Sequence, residues 1–198
     1  MKYNSIPELM GGKSGVRIGV DMDDTFFPFV GGLVEWHNRA YGTDWTIGQF
    51  NTYKFSQVPG FPVNAEERVR EYLESDFHWN LAPLEGAVEG IRELASRNEL
   101  FLMTSRNGKY RDRTLEYINR QFGDGVFKEH FFTYNHYTKD GIGTKAEMCR
   151  EENIGIVIED TVENAQELCN GRVTTIMIDW PWNREFRNSK AFRVRGWI

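Results

Sequence analysis

Cysteine is scarce: Cys149 and Cys169 are the only two in 198 residues, and no CxxC pair occurs. That density cannot support a disulfide framework, so a reducing, cytoplasmic compartment is the expected setting. A basic excess is also missing. Lys and Arg number 24 against 29 Asp and Glu, a net charge of −5. Polynucleotide-binding footprints are usually basic, so no polynucleotide partner is expected, whereas a small anion in a local pocket stays compatible. No run of 18 apolar residues occurs, and positions 1–15 lack an apolar signal-peptide core. Neither membrane insertion nor export is therefore expected. The four histidines, His37, His78, His130 and His136, show no HExxH or Cys-linked ligand spacing and read as structural or surface groups. Repeats and low-complexity segments are absent.

Aromatics, by contrast, are abundant at 14%, with six Trp. They suit a filled core, a pocket for a flat ligand, or both. Positions 1–15 read as a loose polar arm. Within it, Gly11-Gly12-Lys13-Ser14 superficially matches a phosphate-binding loop, but position 7 is Pro where that motif needs Gly, and the segment precedes the first strand instead of following one.

The most informative stretch is Val16-Arg17-Ile18-Gly19-Val20-Asp21-Met22-Asp23-Asp24-Thr25. A short run with β-branched residues predicts a buried strand. Three carboxylates follow at its carboxyl end, and their repulsion calls for a cation or a proton. In open α/β sheets that end is where ligands bind.

Further along, helical spacing over 30–40 and a second helix capped by Asn64, with Glu67 three residues on as in a capping box, predict a mostly helical insertion over 29–82. An α/β rhythm then resumes: helix 86–97, strand 99–104, helix 109–122, a short strand 131–134, helix 144–152, strand 155–159, helix 161–170 and strand 173–178 ending at Asp179. Such alternation predicts a parallel sheet with helices on both faces, an α/β Rossmann-like architecture. The division is a core of 1–28 and 83–198 carrying the insertion 29–82.

In a parallel sheet the ends Asp21–Thr25, Thr104-Ser105 and Glu159-Asp160 share one edge, and Lys145 opens the helix before the last of them. Carboxylates for a hard cation, a hydroxyl and an ammonium suit phosphoryl transfer. One carboxylate can act as nucleophile, and a second acid two residues on can move the proton.

These four elements, in order, resemble the haloacid-dehalogenase superfamily of phosphatases. Its first motif, DxDx[TV], is matched by Asp21-Met22-Asp23-Asp24-Thr25, its second by Thr104, its third by Lys145 and its fourth by Glu159-Asp160. The insertion resembles that superfamily's C1-type cap. More narrowly, Phe101-Leu102-Met103-Thr104-Ser105, Ile158-Glu159-Asp160 with Asn164, and Asp179-Trp180-Pro181-Trp182-Asn183-Arg184 resemble the 5′(3′)-deoxyribonucleotidase family. The chain departs from that family's pattern with Glu159 where Asp is common and Asp24 where Gly is common.

The resemblance implies that Asp21 attacks phosphorus and Asp23 serves as general acid, then base. It implies Mg²⁺ held by Asp21, the Asp23 carbonyl and Asp160, with Thr104, Ser105 and Lys145 cradling the phosphoryl group. Asp24 and Glu159 are left without a role. Phe29 and Trp79, at the junctions of insertion and core, and Arg106, in the loop after Thr104-Ser105, are the candidate substrate pocket. The expected function is a Mg²⁺-dependent phosphatase of nucleoside or deoxynucleoside monophosphates, with a homodimer left open. A phosphatase of sugar phosphates or other small esters, and a phospho-accepting switch of the receiver type, are the alternatives.

Overall fold

In the computed structural model, which describes residues 3–133 and 141–198, six parallel strands form one sheet. They are β1 (Arg17–Val20), β2 (Glu99–Thr104), β3 (Glu129–Phe132), β4 (Ile156–Glu159), β5 (Thr174–Ile178) and β6 (Ala191–Val194). Their spatial order is β3-β2-β1-β4-β5-β6. The chain thus winds outward from β1 through β2 and β3, crosses over, and winds outward again from β4. That reversal opens a crevice at the carboxyl ends of β1 and β4, the position where doubly wound sheets bind ligands.

The helices are α1 (Ile6–Met10), α2 (Phe29–Tyr41), α3 (Ala65–Glu74), α4 (Asp76–Trp79), α5 (Ala87–Ala95), α6 (Arg111–Phe122), α7 (Lys145–Glu151) and α8 (Val162–Asn170). Strand side chains alternate between two faces. Ile18, Val20, Leu100, Leu102, Ile158 and Ile176 join a large core with α5 and α6. Phe101, Met103 and Val157 point the other way, into a smaller core with Met148 and Cys149 of α7 and Leu168 of α8. The α/β fold with helices on both faces is therefore present.

Between β1 and β2 lie α2, α3, α4 and two short 3₁₀ turns, Ile47–Gln49 and Phe55–Gln57. This segment packs around rings: Phe50 meets Phe55 and Phe61 edge-on at 5.8 and 5.3 Å. Gly32 lets α2 lie close to its neighbours, since a Cβ there would collide with Tyr72 Oη and Leu81 Cδ1. No described helix is long and apolar enough to cross a membrane.

Four local expectations differ from the structure. The loose arm contains α1, capped by the Ser5 side chain, started with Pro7 in its first turn and stopped by Gly11 at φ 56°. Ile6 is fully buried and its N–H reaches Gly196 O at 3.1 Å, so a partner far along the chain orders the arm. The edge strand β6 lacks a long apolar run and was not predicted; β5 supplies its ladder. The Asn64 side chain does not cap α3 but donates to the Glu67 carboxylate at 2.7 Å. The third strand covers Glu129–Phe132 instead of 131–134; Tyr134 and His136 lie outside the described residues.

Candidate active site

β1 and β4 deliver Asp21, Glu159 and Asp160 to the crevice, and each is buried. Asp21 continues the ladder past β1, its N–H donating to Ile158 O at 2.9 Å. Lys145 is the first residue of α7, positioned by a capping box in which Thr144 and Glu147 satisfy each other's backbone N–H groups. Its Nζ donates to Asp21 Oδ1 and, at 2.6 Å, to Glu159 Oε2. Thr25 Oγ1 reaches Asp21 Oδ2 at 3.3 Å.

Glu159 and Asp160 have separate surroundings. Both oxygens of Glu159 are used: Oε2 accepts from Lys145, and Oε1 accepts from Thr161 N at 3.1 Å, Thr161 Oγ1 at 2.7 Å and Asn164 Nδ2 at 3.1 Å. Burial pushes its carboxyl up, but the Lys145 ammonium and the hydrogen bonds from Lys145 and Thr161 together hold it below the usual range. Asp160 accepts from Trp182 Nε1 at 2.9 Å through Oδ2, while its buried Oδ1 has no hydrogen-bond partner among the described residues. Burial, and then the charges of Glu159 and Asp21, push Asp160 well up. Burial likewise raises Asp21 to about 7 against the opposing pull of Lys145.

Asp21, Glu159 and Asp160 offer ligand atoms within 4.8 Å of one another. Three buried carboxylates against one ammonium leave an excess of negative charge, which a divalent cation would neutralise. The orphaned Asp160 Oδ1 is the kind of oxygen such an ion takes. The donor set, all oxygen, fits Mg²⁺.

Asp23 lies apart from that cluster, on the β2 side. Arg106 grips it as a fork, Nε to Oδ2 at 3.0 Å and Nη2 to Oδ1 at 2.6 Å. Thr104 ends β2 and is fully buried; its Oγ1 accepts from Arg106 N at 3.2 Å. Ser105 Oγ lies 3.1 Å from Thr133 Oγ1. Thr104 and Ser105 thus occupy the strand end next to β1, as the parallel register of β1 and β2 requires.

Asp24, left without a role by the sequence, bridges two parts of the fold. Both of its carboxylate oxygens accept from Val30 N, at 3.0 and 3.2 Å, and so cap α2, whose own Ncap is Pro28. An acid at a helix N-terminus also meets the favourable end of the dipole. The backbone there has φ 53°, a region that favours glycine and that Asp tolerates better than most residues. That explains how Asp can stand where the resembled family often has Gly. Burial holds the Asp24 carboxyl well above its usual value, with the Val30 N–H pulling the other way.

The candidate pocket residues prove tightly packed. Phe29 stacks on Phe55 at 6.2 Å and meets Tyr72 edge-on at 5.5 Å. Trp79 donates from Nε1 to Leu73 O at 2.8 Å, and its ring faces the guanidinium groups of Arg106 and Arg113 at 5.1 and 5.0 Å. Arg106 turns to Asp23.

Three residues with evident structural work went unassigned at the sequence level. Trp182 holds Asp160. Asn183 bonds both Asp160 O and Ile178 O, at 2.6 and 2.8 Å. Trp180 stacks on Trp182 at 5.2 Å and donates to Asp24 O at 2.6 Å. The signal was the Asp179–Arg184 stretch, which carried the family resemblance without revealing which groups its rings would hold. Asp179 itself turns to Arg193 at 3.3 Å.

Known proteins share this fold. The chain matches the structure of a haloacid-dehalogenase-like family hydrolase from Streptococcus pneumoniae with TM-score 0.62 and 12% identity, over 90% of this chain and 93% of that one. It matches a superfamily hydrolase of subfamily IA, variant 1, from Geobacter sulfurreducens with TM-score 0.59 and 15% identity, over 92% and 96%. A third match, Bacillus subtilis YfnB bound to magnesium, has TM-score 0.58 and 13% identity, over 93% and 96%. At such identities these show a shared fold. No curated protein sequence matches the chain. The family model described as 5′ nucleotidase, deoxy (pyrimidine), cytosolic type C protein (NT5C) covers residues 14–198. The chain belongs to this family and is a phosphatase of the haloacid-dehalogenase superfamily.

Proposed function

We propose that the chain is a Mg²⁺-dependent phosphomonoesterase that hydrolyses nucleoside or deoxynucleoside monophosphates through an aspartyl phosphate on Asp21. The observation that carries this reading is the buried Asp21 carboxylate, paired with Lys145 and Thr25 beside the unpartnered Asp160 Oδ1. An oxygen of Asp21 attacks phosphorus. Lys145, kept charged by Asp21 and Glu159 despite its burial, holds phosphoryl oxygens together with Thr104 and the Ser105 backbone N–H. Asp23 gives a proton to the departing ester oxygen and later takes one from the water that releases phosphate. Asp21, Asp160 and the Asp23 carbonyl would hold Mg²⁺; when bound, the ion neutralises the carboxylates and polarises the phosphoryl group. The magnesium in the B. subtilis YfnB structure supports that assignment by analogy of fold.

Residues 29–82 act as a cap on the core of 1–28 and 83–198, closing over the phosphate and excluding water. Rings at the edge of this segment suit a planar base, since any base offers a π face. The family description, a deoxynucleotidase for pyrimidines of cytosolic type, supports both the substrate class and a cytoplasmic location. The test is phosphate release with Mg²⁺ over a panel of deoxynucleotides, ribonucleotides and sugar phosphates. Deoxynucleoside monophosphates are expected to give the highest kcat/KM, with activity lost in EDTA. A preference for sugar phosphates would overturn the substrate assignment.

A further inference from the structure

Asp23 has to present a carboxyl oxygen to the leaving group at one place and time, yet it stands at the open side of the site, its side chain 20% exposed. A carboxylate so placed on a turn would sample several orientations. Arg106 removes that freedom. Its side chain is only 3% exposed, and two of its nitrogens bind the two oxygens of Asp23. A fork of this kind fixes the carboxylate plane as well as its distance.

The fork is itself fixed at three points. Its backbone N–H is held by Thr104 Oγ1 at 3.2 Å. The guanidinium carbon lies 4.5 Å from the Phe27 ring centroid and 5.1 Å from that of Trp79. Phe27 belongs to the turn that also carries Asp23, and its N–H bonds Met22 O at 2.9 Å. Trp79 ends α4. Flat stacking on a ring suits the planar guanidinium of Arg better than the ammonium of Lys. Among the described residues, the third nitrogen, Nη1, is buried with no partner, and Asp23 is the one carboxylate paired with Arg106.

We propose that Arg106 is the positioning residue for proton delivery by Asp23, orienting the carboxyl through the Nε/Nη2 fork while Phe27 and Trp79 hold the guanidinium plane. This rests on the phosphatase reading above and adds a residue to it. Arg106 takes no part in bond making. The P–O bond breaks with its electron pair on the ester oxygen, and that oxygen takes the Asp23 proton. The fork uses the lone pairs on one side of the carboxylate and leaves the outer ones for the leaving group. Removing it misplaces the acid, and misplacement of a reacting group by about 1 Å can cost about 100-fold.

The experiment is kcat/KM for Arg106→Ala and Arg106→Lys on two substrates, a deoxynucleoside 5′-monophosphate and p-nitrophenyl phosphate. That quantity reports the steps up to departure of the leaving group. A sugar alkoxide needs the proton, whereas nitrophenolate departs with little help. The expected loss in Arg106→Ala is about 100-fold for the nucleotide and at least tenfold smaller for the aryl ester. Arg106→Lys, which keeps the charge without the fork, is expected to show the same split at reduced size. It also decides the question should the Ala variant fail to fold. Equal losses on the two substrates in a folded variant would show that Arg106 acts through phosphate binding or general structure, and the inference would fall. A wild-type protein that hydrolyses neither ester would overturn the phosphatase reading itself.

Discussion

At the carboxyl ends of β1 and β4, Lys145 joins Asp21 to Glu159, and Asp160 stands beside them with one oxygen unpartnered among the described residues. A few residues further on, segment 29–82 is built from rings: Phe29, Phe50, Phe55, Phe61, Tyr72 and Trp79 touch one another or their neighbours at centroid distances from 4.8 to 6.5 Å. The first region is polar and concentrates like charges; the second is apolar and stabilised by burial. The first is therefore in tension with stability, while the second works for it. Active sites commonly hold such tension because the chemistry requires it. The two regions should answer mutation in opposite ways, and the sharpest contrast comes from Asp21.

Asp21→Asn keeps the shape of the side chain and removes both the proposed nucleophile and one of the crowded buried carboxylates. Turnover should fall by about 10⁴-fold or more, since removing a nucleophile collapses the whole unit. Lys145 keeps Glu159 as its partner, so no buried charge is orphaned. In EDTA the variant's melting temperature should equal or exceed that of the wild type. Phosphate release and thermal unfolding measure the two halves, and an Asn variant that turns over normally would remove Asp21 from its role.

Asp24 joins the two regions and should show an intermediate effect. Asp24→Ala loses the cap on α2 and puts a Cβ-bearing residue without local hydrogen bonding at φ 53°. A lost cap costs about 1 to 2 kcal/mol, partly offset by freeing a buried carboxyl. Asp24→Gly loses the same cap without the backbone strain and should recover about 1 kcal/mol of that loss. Urea unfolding of the pair is the measurement. Equal stabilities would mean that the left-handed backbone does not decide which residue fits there.

The same contrast governs how far the sequence could be read. The polar region was legible because its residues follow apolar runs at strand ends: Asp21 after Val20, Thr104 after Met103, Glu159 after Ile158. Chain order alone places such ends on one sheet edge. The division of labour between Glu159 and Asp160 was not legible, because it depends on Thr161, Asn164 and Trp182 converging in space. The link from Asp24 to Val30 spans six residues and needs a left-handed turn that no periodicity reveals. In the aromatic segment the helices were readable from their spacing. Which rings line a surface and which fill the interior was not, since Phe29 and Trp79 look the same in either place. The fork from Arg106 to Asp23 joins positions 83 apart and leaves no local trace.

His78 gives the smallest effect at pH 7 and isolates the apolar region. Its ring is fully buried between Phe27 at 4.6 Å and Tyr72 at 4.5 Å, and neither nitrogen has a hydrogen-bond partner among the described residues. Burial, with the nearby charges of Arg106 and Arg113, holds its pKa far below the usual 6.5. In the folded chain it therefore stays neutral under mild acid, while the unfolded chain takes up a proton below pH 6.5. The unfolded state then binds more protons, so stability is greatest above pH 6.5 and falls as the pH drops beneath it. One pH unit corresponds to about 1.4 kcal/mol at full slope, and half of the unfolded imidazole is already protonated at pH 6.5, so this residue alone should cost about 1.6 kcal/mol between pH 6.5 and pH 5. His78→Phe keeps an aromatic ring and removes the titration. At pH 7 its stability should lie within about 1 kcal/mol of the wild type, because a buried ring with unpaired nitrogens gains little from them. At pH 5 it should be the more stable of the two. Unfolding curves at both pH values give the difference directly, and the carboxylates common to both proteins cancel in it. Parallel loss in the two proteins would mean that the ring takes its proton while folded, and that the interior around Phe27 and Tyr72 admits water.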